Sequence, residues 1–156
     1  MTRPHIRRIL LVEDNPADVF LLKEAFQNSG LAFDLITAAD GEKALALLFD
    51  GKTPDTCPDL ILLDLNLPKI NGHTVLQRIK SDPRTEMIPA IVMSSSGASS
   101  DVALAYSEHA NCYIRKPTNL EELFRTVRAI KSFWLDVVQL PPAPAHGNAR
   151  SASGSS

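Results

Sequence analysis

Short apolar runs alternate along the chain with longer stretches whose apolar residues recur at helical spacing. The runs are Ile9-Leu10-Leu11-Val12, Leu60-Ile61-Leu62-Leu63, Ala90-Ile91-Val92-Met93 and a weaker Cys112-Tyr113-Ile114. Unbroken apolar runs of this length predict strands buried on both faces, as in a parallel sheet covered by helices. The stretch 33–38 starts apolar then polar, as an edge strand does. Helical spacing follows in Val19, Leu22 and Phe26, in Leu45, Leu48 and Phe49, and in Leu120, Leu123, Phe124, Val127 and Ile130. Two less periodic helices are expected over 72–81 and 99–109. Asn15 before Pro16 marks one helix start, and Asn119 with Glu122 resembles a capping box. Strand then helix, five times over with right-handed crossovers, predicts an α/β fold: a doubly wound, five-stranded parallel sheet with helices on both faces.

Composition agrees with one globular domain. The 156 residues are 44% hydrophobic and 22% charged, enough to bury a core without disulfides or a structural metal. A net charge of -2 argues against nucleic acid as a partner, and no apolar stretch is long enough to span a membrane. Cys57 and Cys112 match neither a zinc-ligand nor a disulfide pattern, so a reducing, cytoplasmic location is expected. A domain over 5–140 is expected, with an extension at 133–140 and a disordered, Pro- and Ser-rich tail over 141–156.

In an open parallel sheet the ligand site lies beyond the carboxyl ends of the strands. There the chain places Glu13 and Asp14, Asp64, Ser94 and Lys116. Any one of these is an ordinary turn or cap residue. Together, the clustered carboxylates repel one another unless a cation joins them. Oxygen-only donors favour a hard ion such as Mg2+. With Lys116 and the Ser94 hydroxyl, such an ion would neutralise a phosphoryl group, leaving Asp64 as the nucleophile. Neither Gly-x-x-x-x-Gly-Lys-[Ser/Thr] nor Gly-x-Gly-x-x-Gly occurs, so ATP is not an obvious substrate.

In order and spacing, Glu13-Asp14, Asp64-Leu65-Asn66-Leu67-Pro68, Ser94 and Lys116-Pro117 resemble the response-regulator receiver domain, over roughly 6–131. The resemblance implies that Asp64 is the phosphoacceptor and that Glu13, Asp14, Asp64 and the Asn66 backbone carbonyl hold Mg2+. It makes Ser94, Lys116 and Tyr113 the phosphoryl-stabilising and switch residues, places Asn66 and Ser96 where they tune dephosphorylation, and implies a cis Lys116–Pro117 bond. The stretches 109–116 and 132–141 resemble the small response regulators that partner phytochrome histidine kinases. That implies a sensor histidine kinase as phosphoryl donor, no chromophore on this chain and no turnover substrate.

The extension past the last core helix carries Phe133, Trp134, Val137 and Val138. It either folds back on its own domain or, the reading we favour, forms a homodimer contact through the fifth helix and this extension. His73 and His109 look isolated and receive no role. Two other functions remain open. A Mg2+-dependent phosphatase working through an aspartyl phosphate would want an acid two residues after the nucleophile, where this chain has Asn66. A docking module indifferent to phosphorylation would not need the acid, hydroxyl and lysine set.

Overall fold

The computed structural model describes residues 6–30, 32–50 and 57–142. Most of the expected tail therefore lies outside the described residues, as does residue 5. The strands are β1 (Arg7–Val12), β2 (Phe33–Ala38), β3 (Leu60–Asp64), β4 (Ala90–Ser94) and β5 (Cys112–Arg115). The helices are α1 (Pro16–Asn28), α2 (Gly41–Phe49), α3 (Gly72–Ser81), α4 (Ser99–Ser107) and α5 (Leu120–Ile130), which continues into a π-helical segment, Lys131–Val137. All neighbouring strands pair in parallel, in the order β2-β1-β3-β4-β5.

Side chains alternate across a strand, so each buried run feeds two cores. Leu10, Val12, Ile61, Leu63 and Val92 meet Ala44, Val75, Leu76, Ile79 and Ala105 from α2, α3 and α4. Ile9, Leu11, Leu60, Leu62, Ile91 and Met93 meet Leu22 and Phe26 of α1 and Leu123, Val127 and Ile130 of α5. β1, β3 and β4 are the strands with helices over both faces. β2 is an edge, as its alternation predicts. β5 is the other edge and only partly buried, which corrects the expectation of two buried faces. Its shortness and the polar Arg115 fit an end position better than a central one.

The helix starts obey local chemistry. The Asn15 carboxamide oxygen accepts from the Ala17 and Asp18 N–H groups at 2.9 and 3.3 Å, and Pro16, which has no N–H to satisfy, opens α1. Asp40, Asn71 and Asn119 cap α2, α3 and α5 in the same way. The Glu122 carboxylate accepts from the Asn119 side-chain amide at 3.3 Å, a local variant of the expected box. α4 stops at Ser107, and His109, exposed, takes a left-handed backbone with φ 72° beyond its end. His73 is not isolated: its Nδ1 lies 2.5 Å from Glu108 Oε1, tying α3 to the end of α4.

The Lys116–Pro117 bond is trans, since no peptide bond among the described residues is cis. This overturns the cis expectation; the trans form is the lower in energy by about 0.5–1 kcal/mol for an X–Pro bond. The extension divides. Trp134 and Leu135 are half-buried against the α1–α5 core and Leu140 is buried, whereas Phe133 and Val137 are 53% and 74% exposed. Val138 is half-buried.

Gly72 joins fold and site. A Cβ built there would lie 2.4 Å from Leu65 Cα and 2.6 Å from Asp64 O, both backbone atoms that have little freedom to retreat. The Gly72 N–H donates to Leu65 O at 3.0 Å. Gly72→Ala is therefore expected to cost about 1–3 kcal/mol in urea unfolding, the range for overpacking, and to move the amide resonances of Asp64 and Asn66. An unchanged unfolding midpoint would contradict this close packing.

Candidate functional site

β1 and β3 lie side by side, so the residues that end them, Glu13 and Asp14 after one and Asp64 closing the other, meet at one place. There the order of strands reverses, with the connection from β1 running outward to β2 and the next returning past it to β3. Carboxylate oxygens of Glu13, Asp14 and Asp64 all lie within 4.8 Å of one another, the one such grouping among the described residues that could hold a metal ion. Glu13 and Asp64 are 3% and 5% exposed; Asp14 is exposed.

Lys116, delivered by the end of β5, is the counter-charge. Its Nζ is 2.8 Å from Glu13 Oε1, 3.2 Å from Asp64 Oδ2 and 3.3 Å from Asp18 Oδ2. Burial pushes Glu13 above the ordinary carboxyl value; the Lys116 hydrogen bond pulls it down, the Asp64 charge adds to the rise, and the net shift is upward. Burial alone would lower the Lys116 ammonium, but its hydrogen bond to Glu13 and the charges of Asp64 and Glu13 outweigh it. Lys116 is held above the ordinary lysine range and stays a cation. The Asn15 N–H donates to Glu13 Oε2 at 3.2 Å and the Asn66 N–H to Asp64 Oδ1 at 3.1 Å, fixing both carboxylates.

Ser94, Ser96 and Tyr113 form a second connected set. Ser94 is 2% exposed and its Oγ accepts from the Ser96 N–H at 3.2 Å. The Tyr113 hydroxyl donates to the Ser96 carbonyl at 2.7 Å. The Ser96 hydroxyl bonds the Asp101 carboxylate in the first turn of α4. The Lys116 N–H donates to Ser94 O at 2.8 Å, so this set and the acidic set share one backbone joint. Asn66 is exposed just past Asp64.

Sequence reasoning missed Asp18. It stands in the first turn of α1, where an acid is favoured by the helix dipole alone, so its sequence context does not single it out. Only the approach of Lys116 from a segment 98 positions away brings it to the site. The cysteines play no part: burial raises both thiols above their ordinary value, with the Asp59 charge adding to this at Cys57, so neither has the character of a reactive thiolate. Among the described residues no helix is long and apolar enough to cross a membrane.

The oxygen-only donor set fits a hard divalent cation in chemistry and spacing. It also leaves negative charge in excess over the one ammonium. Asp14→Asn is therefore expected to raise the stability of the protein in chelator by about 0.5–2 kcal/mol, as relief of functional charge crowding does, while blunting the rise in Tm with added divalent cation. Thermal unfolding with and without the cation reads both; a variant that loses stability in chelator would refute the crowding.

The comparisons agree with this geometry. The family model described as the response regulator receiver domain matches residues 9–128. The chain is 44% identical over 137 residues to response regulator Rcp1 of Synechocystis sp. (strain PCC 6803), covering 86% of this chain and 93% of that one. Among solved structures it resembles the phosphorylated cyanobacterial phytochrome response regulator RcpA, with a TM-score of 0.82 at 44% identity, covering 88% of this chain and 100% of that one. It also resembles the Mn2+-bound form of Rcp1, with a TM-score of 0.80 at 44% identity, covering 87% and 99%. Acid pair, central aspartate and lysine thus sit together on the sheet edge of a chain that belongs to the response-regulator receiver family.

Proposed function

We propose that the protein takes a phosphoryl group onto Asp64 from a sensor histidine kinase and thereby changes the partners its surface accepts. The observation that carries this is the buried Asp64 carboxylate, held by the Asn66 N–H on one oxygen and by the Lys116 ammonium on the other. A carboxylate so fixed can attack phosphorus, and the ammonium stays to meet the phosphoryl oxygens. Mg2+ is the cation of choice, with Glu13, Asp14 and Asp64 as carboxylate ligands and the Asn66 backbone carbonyl as a fourth. When bound, it would neutralise the entering phosphoryl charge.

Ser94 and Tyr113 are the elements that would respond. The Tyr113–Ser96 bond and the Ser96–Asp101 bond connect the β4–α4 segment to α4, so a shift of Ser94 toward a phosphoryl group reaches α4 through them. Asn66 and Ser96, flanking Asp64 and Ser94, would set the lifetime of the phosphorylated form. The phosphatase alternative is not favoured: the residue two positions after Asp64 is Asn66, whose carboxamide cannot serve as the acid for a leaving group. No turnover substrate is expected, and the docking-module reading leaves the buried acid and lysine set without a purpose.

A phytochrome kinase is the proposed donor and the cytoplasm the proposed location, supported by the phytochrome response regulators among the similar structures. A homodimer through the extension is supported by the exposed Phe133 and Val137. Trp134, half-buried on its own domain and edge-to-face with Phe133 at 5.3 Å, would brace that face together with Val138.

Incubation with acetyl phosphate and Mg2+ is expected to add one phosphoryl group by intact mass to wild type, and none to Asp64→Asn or to wild type in chelator. An adduct that survives Asp64→Asn would refute the assignment. Light scattering tests the dimer separately. Val137→Asp, at a site that costs the fold little, is expected to halve the mass of a wild-type dimer; a variant with the wild-type dimer mass would remove the extension from the interface.

A further inference from the structure

A lysine ammonium carries three N–H donors and no acceptor. Those of Lys116 are all taken by carboxylates: Nζ is 2.8 Å from Glu13 Oε1, 3.2 Å from Asp64 Oδ2 and 3.3 Å from Asp18 Oδ2. A phosphoryl oxygen on Asp64 therefore gains a donor of its own from Lys116 only if one carboxylate gives way. The three are not alike. Glu13 and Asp64 are buried, whereas the Asp18 side chain is 40% exposed. Glu13 and Asp64 also belong, with Asp14, to the grouping that could hold a divalent cation, and Asp18 does not. Asp18 stands in the first turn of α1, where its N–H donates to Asn15 Oδ1 at 3.3 Å. Among the described residues its ion-pair partner is Lys116. Both line a groove of about 260 Å³ between α1 and the start of α5, so an Asp18 carboxylate released by Lys116 returns to water.

We propose that Asp18 is a positioning residue that competes with the phosphoryl group for the Lys116 ammonium, and so acts as a brake on phosphorylation of Asp64. The proposal rests on the phosphoacceptor role given to Asp64 above and adds to it a restraint on the counter-charge. In the transfer an Asp64 oxygen attacks phosphorus, the bond from phosphorus to the donor breaks, and its electron pair leaves with the donor. Asp18 takes no part in those bonds and acts through Lys116 alone. Withdrawing the ammonium from Glu13 would leave a buried carboxylate without its partner, which is strongly unfavourable. Withdrawing it from a part-exposed acid loses only a weak ion pair. Asp18 is thus the carboxylate that yields, and the loss of its pair with Lys116 is set against each phosphoryl group that arrives. Its charge has the same sign as the phosphoryl oxygens, so the two contend for one ammonium.

The test uses the full chain with Mg2+ and beryllium trifluoride, a non-transferable phosphoryl mimic, followed by NMR of the Lys116 Cε and Asp18 Cγ signals. In wild type both signals are expected to move on binding, that of Asp18 because its ammonium is withdrawn. An Asp18 signal that stays in place while that of Lys116 moves would overturn the competition. Asp18→Ala is expected to bind the mimic about two- to fivefold tighter, the range that loss of a weak, part-exposed ion pair supplies, and to show a displaced Lys116 signal already in chelator. Asp18→Glu keeps the charge and is expected to return toward wild-type affinity. Damage to the fold does not tighten binding, so the gain separates positioning from a structural role. Tighter binding with the Lys116 signal unmoved in chelator would trace the effect to the general field and overturn the proposal. Equal or weaker binding by Asp18→Ala rejects the brake alone, whereas no binding by any variant, wild type included, rejects the phosphoacceptor reading with it.

Discussion

The structure is organised around negative charge buried where it is costly. Glu13 and Asp64 are withdrawn from water at the ends of adjacent strands, within ligand reach of Asp14. Burying a carboxylate without a partner is costly. One ammonium offsets that cost. Lys116 bonds Glu13, Asp64 and Asp18 at once, and everything that aims Lys116 or supports the carboxylates bears on whether the site exists: the β5 strand, the Asn15 and Asn66 N–H donors, and the close approach of Gly72 behind Asp64.

That arrangement explains why the sheet is built as it is. Two unlike cores, α1 and α5 on one face and α2, α3 and α4 on the other, clamp β1, β3 and β4 so that their carboxyl ends are held in fixed relation. Asp64, Ser94 and Tyr113 then stand on the strands themselves, with Glu13, Asp14 and Lys116 just past the ends of β1 and β5. The face with α1 and α5 leaves an open groove at the site. The other face carries the chain of bonds from Tyr113 through Ser96 to Asp101 and α4. On the proposed reading, these bonds are the route by which a phosphoryl group at Asp64 would be felt at α4.

The extension beyond α5 shows two demands on one short segment. A π-helical continuation widens the turn, and with it Trp134 and Leu135 reach the core while Phe133 and Val137 stay in water. Folding back and contacting a second copy were alternatives on sequence grounds. In the structure Trp134 and Leu135 fold back, and Phe133 and Val137 are left as an exposed apolar share.

The sequence by itself determined the strand and helix order, the buried runs of β1, β3 and β4, and the acids and lysine at the strand ends. These are legible because periodicity and caps are local: Ile9-Leu10-Leu11-Val12 needs no distant residue to read as a buried strand, nor Asn15-Pro16 as a helix start. The structure decided what depends on distant encounters. β5 proved to be an edge because pairing order is a property of the whole sheet. Asp18 joined the site only because Lys116 arrives from 98 positions away, and His73 gained Glu108 across α3 and α4. The trans Lys116–Pro117 bond, too, contradicted an expectation that came from resemblance alone. Spacing along the chain records which side chains share a strand or a helix face; which of them meet is settled by packing, where the energy of burying a charge depends on what comes to stand beside it.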